Sequence, residues 1–503
     1  AFYKSLFPGE AVIYSESMLE PSPFSRVTDQ YAPGNSWGGA HRGISIITRA
    51  NTAADSVRLW QINITGEDDV PYSNSVYQAG SLVVQELTDE MGVKTVVYTD
   101  EQGKKILTKS QLAASPSTHY TGWLCTYYVY DELNHLRAVI SPKAVSGICG
   151  ASLWDLAANS TINTNLCYAY WYDNRGRVLM KRIPGKGKVY FAYDKLDRLV
   201  MTQDENLRLT NQWTFIKYDA QSRPFKTGLI TLGALTKDQV QTNAAAATDY
   251  PTLSGTFTVL AETYFDDYTW TSGSGLTSTL VTTNINSTNF ITTYDAAPTY
   301  AQNILKSNRI RGKVTGTKTM VLGTSTYLYA LTIYDEDGRS IQTKQVNYTG
   351  GTDVATIQYG FSGRILRSLL SHQKSSNGNE THTLLTKYNY DNGGRLQNMV
   401  KNIDGLGDKT ISALTYNELG QVQNKTLGNN LSVQNYSYNI RGWLNGINKA
   451  FVESNGGTNP YFGEVLNYDF GFGTKQYNGN ITGAKWKAAG DGIARAFGYS
   501  YDN

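Results

Sequence analysis

Along most of the chain, short segments rich in β-forming residues partly alternate between apolar and polar positions. Arg198-Leu199-Val200-Met201-Thr202 and Ile341-Gln342-Thr343-Lys344-Gln345-Val346-Asn347-Tyr348 are examples. A period of two places one set of side chains on each face of a strand, so these segments predict β-structure. Helical periodicity is scarce. Ser152-Leu153-Trp154-Asp155-Leu156-Ala157-Ala158 and residues 235–247, with their Ala244–Ala247 run, are the candidates for short helices. Thr271-Ser272-Gly273-Ser274-Gly275 reads as a loop. No stretch approaches the length of about 18 apolar residues that a membrane-spanning helix needs.

Between the strand segments one motif returns: an aromatic residue, usually Tyr, then Asp or Asn, a short variable stretch, Gly and a basic residue. It reads Tyr172-Asp173 with Gly176-Arg177, Tyr193-Asp194 with Arg198, and Tyr218-Asp219 with Arg223. It resumes at Tyr334-Asp335 with Gly338-Arg339, Tyr359 with Gly363-Arg364, and Tyr390-Asp391 with Gly394-Arg395. Drifted copies follow at Tyr416-Asn417 with Gly420-Gln421 and Tyr438-Asn439 with Gly442-Trp443, then a cut-off one at Tyr501-Asp502. Weaker copies lie upstream at Tyr98 with Gly103-Lys104 and Tyr130-Asp131 with Arg137. Most intervals are twenty-odd residues, enough for two strands and two turns. Each letter has a physical reason. Asp or Asn accepts hydrogen bonds from the backbone two residues on and opens a turn, and Gly supplies the positive φ that closes it. Tyr at i and i+2 shares one face of a strand, where its ring is expected to pack on a counterpart on the next strand. The Arg starts the return strand with its charge toward water or a carboxylate.

Blades of a β-propeller would consume two copies each, but propellers want near-equal blades. Here the intervals run from 21 to 31 residues, and Tyr218 and Tyr334 stand 116 apart. A spiral antiparallel sheet absorbs such insertions as loops and pairs its strand edges as it winds. The expected fold class is therefore all-β.

Composition changes the picture in three ways. Tyrosine is in excess, 36 of 503 residues, and many fall in or beside the motif. Hydrophobic residues at 40% and a net charge of only +3 place the chain among folded proteins and leave no electrostatic footprint for nucleic acid. Three cysteines, Cys125, Cys149 and Cys167, show neither a disulfide framework nor zinc spacing and read as small buried hydrophobes. The chain starts without Met and stops within a copy of the motif, which suggests a piece of a longer polypeptide.

Candidate chemistry is sparse. His41, His119, His135, His372 and His382 form no nucleophile or metal pattern. The pairs Asp266-Asp267 and Asp68-Asp69 lack the further oxygen ligands of a calcium loop. Gly471-Phe472-Gly473 lacks the context of a phosphate cradle. A residue that recurs at one phase is better explained as architecture than as a catalytic group, which needs one geometry beside fixed partners. Catalytic, cofactor-binding and metal residues are therefore expected to be none, and the chain is expected not to be an enzyme.

These motifs resemble the RHS/YD-repeat family, whose signature is Tyr-Asp-x-x-Gly-Arg at this spacing; the strongest block is 172–227. The segments Glu20-Pro21-Ser22-Pro23-Phe24-Ser25-Arg26-Val27 and Ala32-Pro33-Gly34-Asn35-Ser36-Trp37 resemble the N-terminal module of members exported to the cell surface by type IX secretion. The resemblance implies a sheet spiralling into a hollow, cocoon-like shell, which in polymorphic-toxin members encloses a C-terminal effector. With the motif all but missing from 229–307, the chain is expected to divide into an N-terminal module at 1–80, a first repeat block at 81–228, an irregular insertion or shell segment at 229–307 and a second block at 308–503, truncated at its C-terminal end. The implied partner is an enclosed effector domain outside this chain, with secretion machinery as a further candidate, and the implied location is secreted or at the cell surface; a surface glycan is a separate candidate, because exposed tyrosine rings stack on sugars. The chain departs from toxin members in lacking any Asp-Pro dipeptide, part of the element after the repeats that cuts the toxin free. The alternative function is a cell-surface adhesion or gliding-associated protein that binds glycan or protein on its outer face.

Overall fold

A computed structural model describes residues 2–62, 70–150, 154–375, 380–454, 460–490 and 492–502. Its strands form one 29-stranded sheet and a separate two-stranded one. The large sheet is an antiparallel meander. From Val83–Thr88 to Ala494–Gly498 each strand pairs with the next in the chain. Ahead of it, Glu16–Leu19, Val27–Tyr31 and Ile44–Ala50 extend the same sheet through the pairing of 44–50 with 83–88. The hairpin of Arg58–Ile62 with Pro71–Val76 forms the small sheet.

A repeated irregularity explains the curvature. At each copy the register slips by one residue just after the turn. Tyr172 faces Val178 while Trp171 faces Met180, so Leu179 is extra. The same slip follows the turns after Tyr193, Tyr218, Phe265, Tyr334, Tyr359, Tyr390, Tyr416 and Tyr438. A β-bulge bends its strand and increases the local right-handed twist. Recurring at one place in each copy, the increments add, and the sheet coils instead of lying flat. The bulge also turns two successive side chains to one face, which is why Val200 and Met201, and likewise Ile341 and Gln342, are both buried.

Parts of that face are covered by the chain's own excursions. Val240 and Ala244 of the helix Lys237–Ala246 pack on Ala192, Met201, Trp213 and Phe215. Leu276, Phe290 and Ile304, from the irregular stretch after Phe257–Phe265, pack on Leu331, Ile333 and Leu369. Buried side chains on the sheet grip these excursions by their backbones. Lys344 donates to the carbonyls of Thr277 and Thr279, and Gln342 and Gln358 each pair in both directions with one residue, Val281 and Ile291.

The helix expected over 235–247 forms at Lys237–Ala246, where the Thr236 hydroxyl accepts the Gln239 amide as its cap. The one expected at 152–158 does not form over its described part. Residues 154–156 instead extend the small hairpin, with the Ser73 amide donating to the Trp154 carbonyl and the Leu156 amide to that of Pro71. The helices there flank the segment, at Pro142–Gly150 and Ser160–Leu166. Ser152 and Leu153 lie outside the described residues.

Candidate functional site

The repeated turn is the unit from which the wall is built. In the copy at 172–177 the Asp173 carboxylate accepts the amides of Arg175 (2.9 Å) and Arg177 (3.0 Å), and Arg177 Nε donates to its second oxygen at 2.7 Å. Gly176 closes the turn at φ +73° and donates its amide to the Asp173 carbonyl. The bonds from Nε to carboxylate recur at Arg198–Asp194, Arg223–Asp219, Arg339–Asp335 and Arg395–Asp391, between 2.6 and 2.8 Å. Gly338 and Gly394 occupy the same left-handed position as Gly176, and where Gly is missing Asp197 and Ser222 adopt it. Partial burial opposes ionisation of Asp173, but the bonds from Arg177 outweigh it and hold the carboxyl below its ordinary value. The expected motif residues thus fall into one five-residue turn. Its Asp is bonded on both oxygens and its Arg is bonded back to that Asp.

The tyrosines differ from the sequence expectation. They do not pack chiefly on one another. Each ring lies by the basic residue of the preceding copy: Tyr193 by Arg177 (4.7 Å), Tyr218 by Arg198 (4.8 Å), Tyr359 by Arg339 (5.1 Å), Tyr416 by Arg395 (4.5 Å). Each hydroxyl donates to the carbonyl of the residue just after the last position of that turn, a position held in the copy at Asp131 by His135 and not by Arg137 as the sequence suggested. Tyr172 bonds Leu136, Tyr193 Val178, Tyr218 Leu199, Tyr334 Val314, Tyr359 Ser340, Tyr390 Ile365 and Tyr416 Leu396. The reason is the bulge. The acceptor residue faces the Tyr of its own turn, but the ladder to the following strand starts only two residues later, beyond the bulge, so its carbonyl on that side is unpaired and takes the hydroxyl. Tyrosine provides both a ring for the guanidinium and a hydroxyl for the carbonyl, so one residue type joins successive copies.

One copy escaped the sequence reading because its turn is split. The Asp266 amide donates to the Lys313 carbonyl and its carboxylate accepts the Gly312 amide, so residues 267–311 emerge from inside a repeat turn whose aromatic is Phe265. The signal was Phe265-Asp266 and Gly312-Lys313, separated by the excursion.

The ends of the coil meet at a seam. Trp37 is buried, donates Nε1 to the Tyr477 carbonyl at 2.7 Å, and sets its edge on Trp443 with ring centres 5.5 Å apart. Ser36 bonds Asp469, Arg441 reaches Glu90 at 3.4 Å, and Asn478 donates to Asp89 at 3.1 Å. A repeat turn near the end of the sheet, 439–443, thus seats on a hairpin turn near its start, 89–93.

The histidines are dispersed among structural tasks. His135 stacks on Tyr172, His41 meets Tyr31, and the His119 carbonyl receives Lys109. His372 and His382 face each other across two strands, bonded to Asp353 and Asp404 respectively. Asp266 and Asp267 are engaged by Arg223 and Thr269, and Asp68-Asp69 lies outside the described residues. Gly471 takes a positive φ in an irregular loop, and Phe472 packs over Gly483. All three cysteines are free thiols. Among the described residues no cluster of His, Cys, Asp and Glu could hold a metal, and no helix is long and apolar enough to cross a membrane.

Residues 1–50 match the model of a domain of unknown function, DUF6443. No curated protein matches the chain. Among solved structures, 96% of the chain aligns with the Tc holotoxin pore of Photorhabdus luminescens at 12% identity and a TM-score of 0.34, covering 22% of that chain. It aligns with TcdB2-TccC3-Cdc42 over 96% of its length at 13% identity and a TM-score of 0.32, covering 24% of that chain. For TcdB2-TccC3 without its hypervariable C-terminal region the values are 95%, 13% and 0.32, again covering 24%. The chain spans less than a quarter of the length of those proteins.

Proposed function

We propose that this chain is wall material: part of the encapsulating shell of a larger exported protein, which encloses or carries an effector segment and performs no catalysis of its own. The observation that supports this reading is the seam. A meander whose copies each add a bend and whose ends are latched by Trp37, Trp443 and Tyr477 has the construction of a container. The side-chain chemistry agrees. The motif carboxylates and guanidiniums are spent on each other within the turns, and the tyrosine hydroxyls on backbone carbonyls. The test is to produce the full-length polypeptide and compare proteolysis of the segment beyond residue 503 in the intact protein with that of the segment alone. Containment expects the enclosed segment to survive protease that digests the free one. Equal digestion rates would refute it.

A further inference from the structure

One copy of the turn lacks its acceptor. In the copies at 173, 194, 219, 335 and 391 an Asp carboxylate takes up the amide of the basic residue four positions on, and Asn417 and Asn439 take up the amides of Gln421 and Trp443 with their side-chain oxygens. At the corresponding place stands Gly360. The backbone of the turn is nonetheless intact: the Gly360 amide donates to the Arg364 carbonyl, the Gly363 amide to the Gly360 carbonyl, and Gly363 has φ +78°. The amides of Ser362 and Arg364, which point at a carboxylate elsewhere, have no such acceptor in this copy. Arg364 likewise has no motif carboxylate, and Asp391 beside it is engaged by Arg395 at 2.7 Å. Its guanidinium lies instead 5.7 Å from the Tyr390 ring.

The excursion crosses here, with the Phe361 amide bonded to the Tyr300 carbonyl and Thr299 O lying 3.1 Å from where a Cβ at 360 would stand. The crossing crowds a Cβ at 360 by a few tenths of an ångström and leaves the donors in place. The amides of Ser362 and Arg364 flank the left-handed Gly363 and are the pair that converges on one carboxylate oxygen in other copies; backbone amides so arranged make an anion-binding concavity. Arg364 carries its guanidinium over Gly394 of the next turn and so adds positive charge at the rim of the same cavity.

The same turn opens on a cavity of ≈ 540 Å³ lined by Tyr300, Phe361, Arg364, Tyr388, Tyr390 and Asp391, among others. Tyr300 and Phe361 are 50% and 80% exposed. We infer that this is a binding site for an acidic saccharide, a hexuronate whose carboxylate occupies the place of the missing Asp while its pyranose face rests on the exposed rings. A hexuronate carries the anion directly on the ring, so one sugar satisfies both the cradle and the aromatic wall. An acidic peptide side chain satisfies only the cradle. The volume lies within the range of small-molecule pockets.

The test is calorimetric or NMR titration of the chain with digalacturonic acid, its methyl diester and a tetrapeptide containing one Asp. The acid is expected to bind with Kd of about 1 mM or tighter and the ester at least about tenfold more weakly. Gly360→Asp supplies the carboxylate from within and is expected to weaken the acid by about tenfold or more, as is Arg364→Gln, which is on the rim and independent of the Thr299 contact. Phe361→Ala should weaken acid and ester alike. Absence of binding at 10-fold this concentration (about 10 mM), equal binding of acid and ester, or undiminished binding by Arg364→Gln would overturn the site. Tetrapeptide binding as tight as that of the acid would overturn the saccharide assignment.

Discussion

Replacing Trp37 by Ala tests whether the seam, rather than the strand ladder, keeps the coil closed. The side chain is 2% exposed, bonds the Tyr477 carbonyl at 2.7 Å, meets Trp443 and Tyr477 edge-on, and lies under Arg441 at 5.4 Å. Truncation of a buried aromatic of this kind costs about 3–5 kcal/mol. At 1.4 kcal/mol per factor of ten, that raises the opening constant of the seam by about two to three and a half orders of magnitude. The partners Trp37 loses lie some 400 positions further along the chain, on turns that remain anchored in their own hairpins. In a quasi-one-dimensional array each unit leans on its neighbours, so the damage stays local. Hydrogen exchange should accelerate at 34–42, 439–443 and 476–478, the radius of gyration from solution scattering should rise, and far-UV circular dichroism should hold. The reasoning fails if exchange at 439–443 is unchanged. It fails equally if protection is lost at the same time in the distant strand Ser340–Val346.

Tyr218→Phe removes one hydroxyl-to-carbonyl bond, of 2.8 Å to Leu199, and should lower stability by about 0.5–1.5 kcal/mol in a denaturant titration. Adding Tyr416→Phe in a distant copy should add its own loss independently, whereas strong coupling would contradict a wall of modular units. Burial pushes the thiols of Cys125 and Cys167 up to about 12, so a thiol reagent at pH 8 should label Cys149 first and the other two only on unfolding. The hydrogen bond to Asp404 raises the His382 pKa above its ordinary value. The pair therefore stabilises the fold below the ordinary imidazole pKa and loses that contribution as pH rises through the raised one. An NMR titration should show His382 titrating high and Asp404→Asn returning it toward normal.

How much of this was legible in the sequence depends on range. Asp173, Gly176 and Arg177 could be assigned to a turn because every bond in that turn closes within five residues, and the chemistry of those bonds is carried by the residues themselves. Period and strand character followed in the same way. The role of the tyrosines was only half legible. That they share a face is a matter of spacing, but their true partners, the previous copy's guanidinium and a carbonyl freed by the bulge, depend on a register slip that spacing does not reveal. The split copy at Asp266 and Gly312 was hidden because an excursion separates its halves in sequence and not in space.

The sequence by itself thus determined a repeating antiparallel β-wall and the chemistry of its turns, because those bonds are local. Only the tertiary structure decided that the wall bends at each bulge, that one face is lined by the chain's own excursions, and that Trp37 meets Trp443 and Tyr477 across the seam. Coiling is the sum of many small twists, and a seam forms where that sum brings distant surfaces together, which no single copy encodes.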